Sequence, residues 1–167
     1  MKSQVPGAAA HVRRTPKSPP YVDAFIKRAL PAAKQVKLKW GVQVAVLIAQ
    51  SALETGWGRR VVNNAYFGIK GKAPDGSSVD FGTTEVINGK TVHKMATFRA
   101  YIDFADSADD YGRFLNQNAR YKSAFSCKRD PEKFVREIAK AGYATDPNYA
   151  KSLISIIHSY SLAQYEK

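Results

Sequence analysis

Glu54 stands where a carboxylate is hard to ionise. It follows an apolar run made of Val42, Val44 to Ala49, Ala52 and Leu53, and Gly56 comes two residues later. The run is apolar nearly all round, so it reads as a core helix over 42–53. Gly56 offers the left-handed residue that commonly ends one. A carboxylate at that end meets low dielectric and the negative pole of the helix dipole, and both disfavour its charged form. Such a group stays protonated near neutral pH, as a general acid must. The plainer alternative is a surface glutamate that happens to follow a core helix.

A second carboxylate carries the opposite bias. Residues 66–101 are rich in Gly and Thr with period-two stretches, a small β-lobe in pattern. Asn88-Gly89 is the favoured pair for a two-residue type I′ turn. That turn sets Ile87 opposite Lys90 and Glu85 opposite Val92, with Lys90 and Lys94 diagonal to Glu85 on one face. Nearby ammonium groups favour the ionised carboxylate. One protonated and one ionised carboxyl, on a helix end and a facing hairpin, suit hydrolysis of a glycosidic bond. The competing reading of Glu85 is a solvated surface residue paired with lysine.

The remaining pattern is helical. Ser18-Pro19 reads as a helix start, with Val22, Phe25, Ile26 and Ala29 on one face, and Pro31 is expected to kink or stop that helix. Ala108, Tyr111, Phe114 and Leu115 form a stripe, as do Phe134, Val135, Ile138 and Ala141 between Asp130-Pro131 and Gly142. Asp146-Pro147-Asn148 turns into a last helix carrying Leu153, Ile154, Ile157 and Tyr160. The fold class is therefore α+β and mainly helical, with a small β-hairpin lobe. Residues 1–19 read as a flexible basic tail and 20–167 as one folded domain.

With 167 residues the chain has room for a single genuine core. Its formal net charge of +12 favours anionic partners: nucleic acid, an anionic membrane surface or an acidic wall polymer. The basic residues are dispersed, without zinc-finger spacing or an RNA-recognition signature. The longest apolar run, Val44 to Ala49, is too short to span a bilayer, so membrane insertion is not expected. Met1 to Pro20 contains no apolar stretch of the secretory kind. The expectation is synthesis in the cytoplasm without a signal peptide, and arrival at the cell wall or periplasm by lysis or specialised secretion. Cys127 is the single cysteine, and His11, His93 and His158 have no ligand-like spacing, so no metal and no cofactor is expected.

Four ordered blocks carry a family resemblance: Ala-Leu-Glu-Thr-Gly-Trp-Gly (52–58), Asn-Ala-Tyr-Phe-Gly-Ile-Lys-Gly (64–71), Phe-Arg-Ala-Tyr (98–101) and Gly-Tyr-Ala-Thr-Asp-Pro-Asn-Tyr-Ala (142–150). Over roughly residues 20–160 the chain resembles glycoside hydrolase family 73, the peptidoglycan N-acetylglucosaminidases. The resemblance implies a lysozyme-like body and cleavage after N-acetylglucosamine in the glycan strand. It maps the general acid onto Glu54, the β-lobe carboxylate onto Glu85 and the active-site tyrosine onto Tyr143. Trp57, Tyr66, Phe67 and Tyr149 are the candidate substrate-binding residues, since sugars stack on aromatic faces. Phe67 and Tyr149 also carry an architectural reading, and Trp57 that of a pin for its loop. Two departures stand out: a short connection from Trp57 to Phe67, which implies a more open groove wall, and Tyr66 in place of the usual aliphatic residue.

The partners this implies are the peptidoglycan strand, and a cognate immunity or inhibitor protein if the chain is a secreted toxin. A phage endolysin is the other setting, and a monomer is expected. Rival classes are a muramidase or lytic transglycosylase acting on the same strand, a non-catalytic wall-binding module, and a nucleic-acid-binding domain. The last would explain the charge but not the four blocks.

Overall fold

The computed structural model describes residues 17–127 and 129–167. Residues 1–16, most of the expected tail, lie outside the described residues, as does His11. Among the described residues, five α-helices form a single core, and one antiparallel hairpin projects from it.

Helix α1 runs Pro20–Trp40 with Pro20 in its first turn. It passes through Pro31, so of the two expectations, a kink or a stop, the stop is not met. Pro31 sits on the solvent side, where the carbonyl it deprives can turn to water. Ala29, Ala33 and Val36 meanwhile remain buried on the inner face, so packing on both sides of the proline carries the helix across it. Helix α2, Val44–Thr55, begins two residues later than the apolar run suggests and is buried from Val44 through Ala52. No side chain of its own first turn caps it. Glu166, near the far end of the chain, accepts the Ala45 amide (2.7 Å) and pairs with Lys37 (3.0 Å). Gly56 closes α2 in the left-handed conformation (φ 57°), and the Trp57 amide reaches the Ala52 carbonyl at 2.9 Å.

Strands β1 (Ser78–Ile87) and β2 (Lys90–Arg99) pair in the register read from the Asn-Gly turn, Ile87 opposite Lys90 and Glu85 opposite Val92. Asn88 and Gly89 both have positive φ (49° and 75°), as a type I′ turn requires. The hairpin is mounted at its base. Arg99 donates its amide to Ile69 (2.8 Å), and Gly71 donates to Thr97 (2.9 Å). Beneath them Asp110 of helix α3 (Phe104–Gln117) binds Arg99 (3.0 Å), Arg113 (2.8 Å) and the Tyr101 hydroxyl (2.5 Å). Burial alone would raise the Asp110 pKa, but these donors outweigh it and hold the group below the usual carboxylate range.

A 3-10 stretch, Ala119–Cys127, which no sequence pattern announced, leads into α4 (Pro131–Lys140). Asp130 caps α4 by accepting the Glu132 and Lys133 amides. Helix α5, Tyr149–Ser159, follows the Asp146-Pro147-Asn148 turn and packs against α2, and a short 3-10 stretch, Leu162–Glu166, brings Glu166 to the start of α2.

Candidate active site

The last turn of α2 presents Glu54 to solvent. Protein packed around its carboxyl nevertheless strips enough hydration to push its pKa up to about 7. No cation pairs with it among the described residues. Its one hydrogen-bonding partner is the Tyr149 hydroxyl, 3.3 Å from Oε1, which pulls the pKa back only in part. Tyr149 in turn accepts from Gln50 Nε2 at 2.9 Å, and Gln50 accepts from Tyr111, a neutral chain buried behind the acid. The other carboxyl oxygen abuts Gly68: a β-carbon there would stand 2.9 Å from Oε2, and Gly68 also has φ +61°. Glycine suits 68 on both counts: it adopts the left-handed conformation freely, and any β-carbon there would push the Glu54 carboxyl aside.

Glu85 meets the opposite surroundings. The register places it on one face of the hairpin with Lys94, whose ammonium lies 2.9 Å from Oε2, and Lys70 pairs with Oε1. Glu85 is 9% exposed, and the two lysines hold its pKa below the usual range. Lys90, the other diagonal neighbour, makes no such pair; Lys70 takes that place from outside the hairpin.

One short segment joins these groups. The Phe67 carbonyl accepts the Tyr143 hydroxyl (2.5 Å), Gly68 abuts Glu54, and Lys70 holds Glu85. Tyr143 stacks parallel to Tyr149 at 5.8 Å, and burial keeps its phenol neutral well above the usual titration range. Glu54, Glu85, Tyr143 and Tyr149 thus form one constellation around residues 67–70.

The other aromatic candidates divide differently. Tyr66 is 5% exposed and packs edge-on against Phe104 at 4.8 Å; Phe67 is 1% exposed and stacks on Tyr111 at 4.1 Å. Both rings pack into the core cluster, and Tyr66 also borders the space between α1 and α3. Tyr149 is likewise buried, acting through its hydroxyl on Glu54. Trp57 is half-buried against Tyr160 (4.7 Å) and Phe25 (5.8 Å), with φ 61° between the left-handed Gly56 and Gly58. Sequence reasoning missed Lys70 and Gln50, and gave Gly68 only an architectural reading. Each lies in or beside a quoted block, yet only the folded contacts show what it touches.

A cavity of about 790 Å³ between α1 and α3, lined by Arg28, Lys34, Tyr66 and Phe104 among others, contains none of Glu54, Glu85 or Tyr143. Among the described residues no group of three or more His, Cys, Asp or Glu side chains is placed to hold a metal ion. His93 contacts Thr84 and His158 pairs with Glu132.

The sequence model of the glucosaminidase family, described as mannosyl-glycoprotein endo-beta-N-acetylglucosaminidase, matches residues 30–162. The chain belongs to this family. It is 42% identical over 142 residues to the peptidoglycan hydrolase FlgJ of Pseudomonas aeruginosa, covering 80% of this chain and 36% of that protein. It is 35% identical to a probable N-acetylmuramidase of Lactococcus lactis, covering 86% of this chain and 35% of that one. Among solved structures, a peptidoglycan hydrolase mutant from Sphingomonas sp. A1 superposes with a TM-score of 0.76 at 32% identity, over 85% of this chain and 96% of that one. The lysozyme-like glucosaminidase fold is thereby shown. The chain spans about a third of the length of the two curated relatives named here. No helix among the described residues is long and apolar enough to cross a membrane.

Proposed function

We propose that this glucosaminidase-family domain hydrolyses the glycan strand of peptidoglycan, cutting the β-1,4 bond after N-acetylglucosamine with Glu54 as general acid. The observation that carries this reading is the pair of carboxyls biased in opposite directions around one segment: Glu54 raised to about 7 beside solvent, and Glu85 held ionised by Lys70 and Lys94. Glu54 gives its proton to the glycosidic oxygen as the bond to the anomeric carbon breaks, and becomes a carboxylate. Positive charge grows on the sugar ring, ionised Glu85 stabilises it or orients the attacking water, and as water bonds to the anomeric carbon its proton passes to Glu85 or back to the Glu54 carboxylate. A carboxylate already bound by two ammonium groups is a weak base, which favours the electrostatic role. Tyr143, fixed by the Phe67 carbonyl, orients the 2-acetamido group or the water. The surplus of positive charge attracts the carboxylates and phosphates of wall material, so binding weakens with salt.

Mass spectrometry of products from purified peptidoglycan tests the reading. Reducing-end N-acetylglucosamine made by the wild type and absent with Glu54→Gln is the expected outcome. Similarity to a probable N-acetylmuramidase supports a second reading, cleavage of the other linkage, whose products end in N-acetylmuramic acid. Where the domain serves as a delivered wall-lytic toxin, its producer needs an inhibitor, and an acidic protein covering the approach to Glu54 is the form that suits a chain of this charge. Co-purification with such a protein and loss of activity on its binding test that role.

A further inference from the structure

We infer that Thr145 is a positioning residue for Glu85, latching the far end of the hairpin to the loop that carries Tyr143. The inference rests on the hydrolase reading above, and three observations support it. First, in an antiparallel pair alternate residues turn their amides away from the partner strand. The Asn-Gly turn makes Ile87 and Lys90 the closing hydrogen-bonded pair, so the amide of Val86 points out from the open edge of β1. Thr145 Oγ1 accepts that amide at 3.0 Å.

Second, the tie is isolated. Among the described residues it is the one hydrogen bond from the hairpin to the α4–α5 loop. The links through Ile69, Gly71 and Asp110 all act at the opposite end, the hairpin base. A two-stranded ribbon is marginal without support. Among the described residues, the Thr145 bond and the Lys70–Glu85 pair are the polar ties from the distal half of the hairpin to the body.

Third, the tie joins the two sides of the constellation. Val86 directly follows Glu85, and Thr145 comes two residues after Tyr143, so one bond sets the hairpin carboxylate against the body tyrosine. The bond is solvent-exposed, and its loss displaces the strand without unfolding the domain.

The test compares Thr145→Val, which keeps the shape and removes the acceptor, with Thr145→Ser, which restores the hydroxyl. Hydrogen–deuterium exchange of the Val86 amide, followed by NMR, reads the latch without any need for activity. Turnover on purified peptidoglycan reads its consequence. The expected results are a protected Val86 amide in the wild type and in Thr145→Ser, with protection lost in Thr145→Val. In that variant kcat falls about tenfold, the scale of a small misplacement of a reacting group, while KM and Tm stay near wild type. Equal Val86 exchange in wild type and Thr145→Val, or a wild-type kcat in Thr145→Val, overturns the inference. A wild type that cleaves no glycan overturns the hydrolase reading instead, and the exchange comparison then judges the latch on its own.

Discussion

The end of α2 and the middle of the hairpin each hold a glutamate, and the two regions treat the same chemical group in opposite ways. Around Glu54 every neighbour is neutral: Tyr149, the Gly68 backbone, and Gln50 behind them. Desolvation therefore governs, and the proton is held to about pH 7. Around Glu85 two ammonium groups reverse the balance, although that carboxylate has less of its surface open to water. Exposure alone therefore does not predict ionisation; the charge of the neighbours decides the sign. The difference also reflects support. The α2 end is built into the core, whereas the hairpin stands on its base and its few ties.

Breaking the contrast at Glu54 should have the largest effect. Glu54→Gln removes the transferable proton and is expected to lower kcat on peptidoglycan by about 10³-fold, with the circular dichroism spectrum unchanged. Stability should move the other way. A carboxyl whose folded pKa lies near 7, above its ordinary 4.5, contributes stability that is complete below 4.5 and lost as the pH rises through 7. At pH 8 Glu54→Gln should therefore melt higher than wild type. Discounted for the solvent that reaches the carboxyl, the gain is about 1 kcal/mol, or about 3 °C. Turnover of the wild type should itself decline above pH 7, as the acid loses its proton.

The next largest effect belongs to the glycine between the sites. Gly68→Ala forces a β-carbon against Glu54 at a positive φ and should destabilise the domain by about 1–2 kcal/mol, with a matching loss of turnover, checked by thermal melting and assay. Lys94→Met narrows the contrast more gently. With one ammonium gone, Glu85 takes up a proton at higher pH, so the acid limb of the kcat profile should move upward while the limb near 7 stays in place. Turnover at pH 6 should fall only a few-fold.

The local half of this arrangement was legible in the sequence. The apolar run of α2, Gly56 as its terminator and the Asn88-Gly89 turn with its register all follow from nearest-neighbour rules, and each is found in the structure. The Glu54 bias was legible too, because it follows from its place at a buried helix end. What escaped depends on contacts between distant segments. Lys70 reaches Glu85 from outside the hairpin, where the diagonal rule pointed to Lys90. Glu166 caps a helix that begins more than a hundred residues earlier. Pro31 reads as a kink or a stop, and the buried Ala33 and Val36 beyond it show that the helix does not stop there. Aromatic residues such as Tyr66 and Phe67 suit either a groove or a core in sequence, and their burial against Phe104 and Tyr111 depends on contacts between distant segments.

The central claim, opposite ionisation of the two glutamates, is tested most directly by a carbon-13 NMR titration of the glutamate side-chain carboxyls, with Glu54→Gln and Glu85→Gln assigning the two signals. The account predicts one midpoint near pH 7, missing in Glu54→Gln, and one below the ordinary glutamate range, missing in Glu85→Gln. Two midpoints together in the ordinary range, or a Glu54 midpoint at or below that of Glu85, would contradict it.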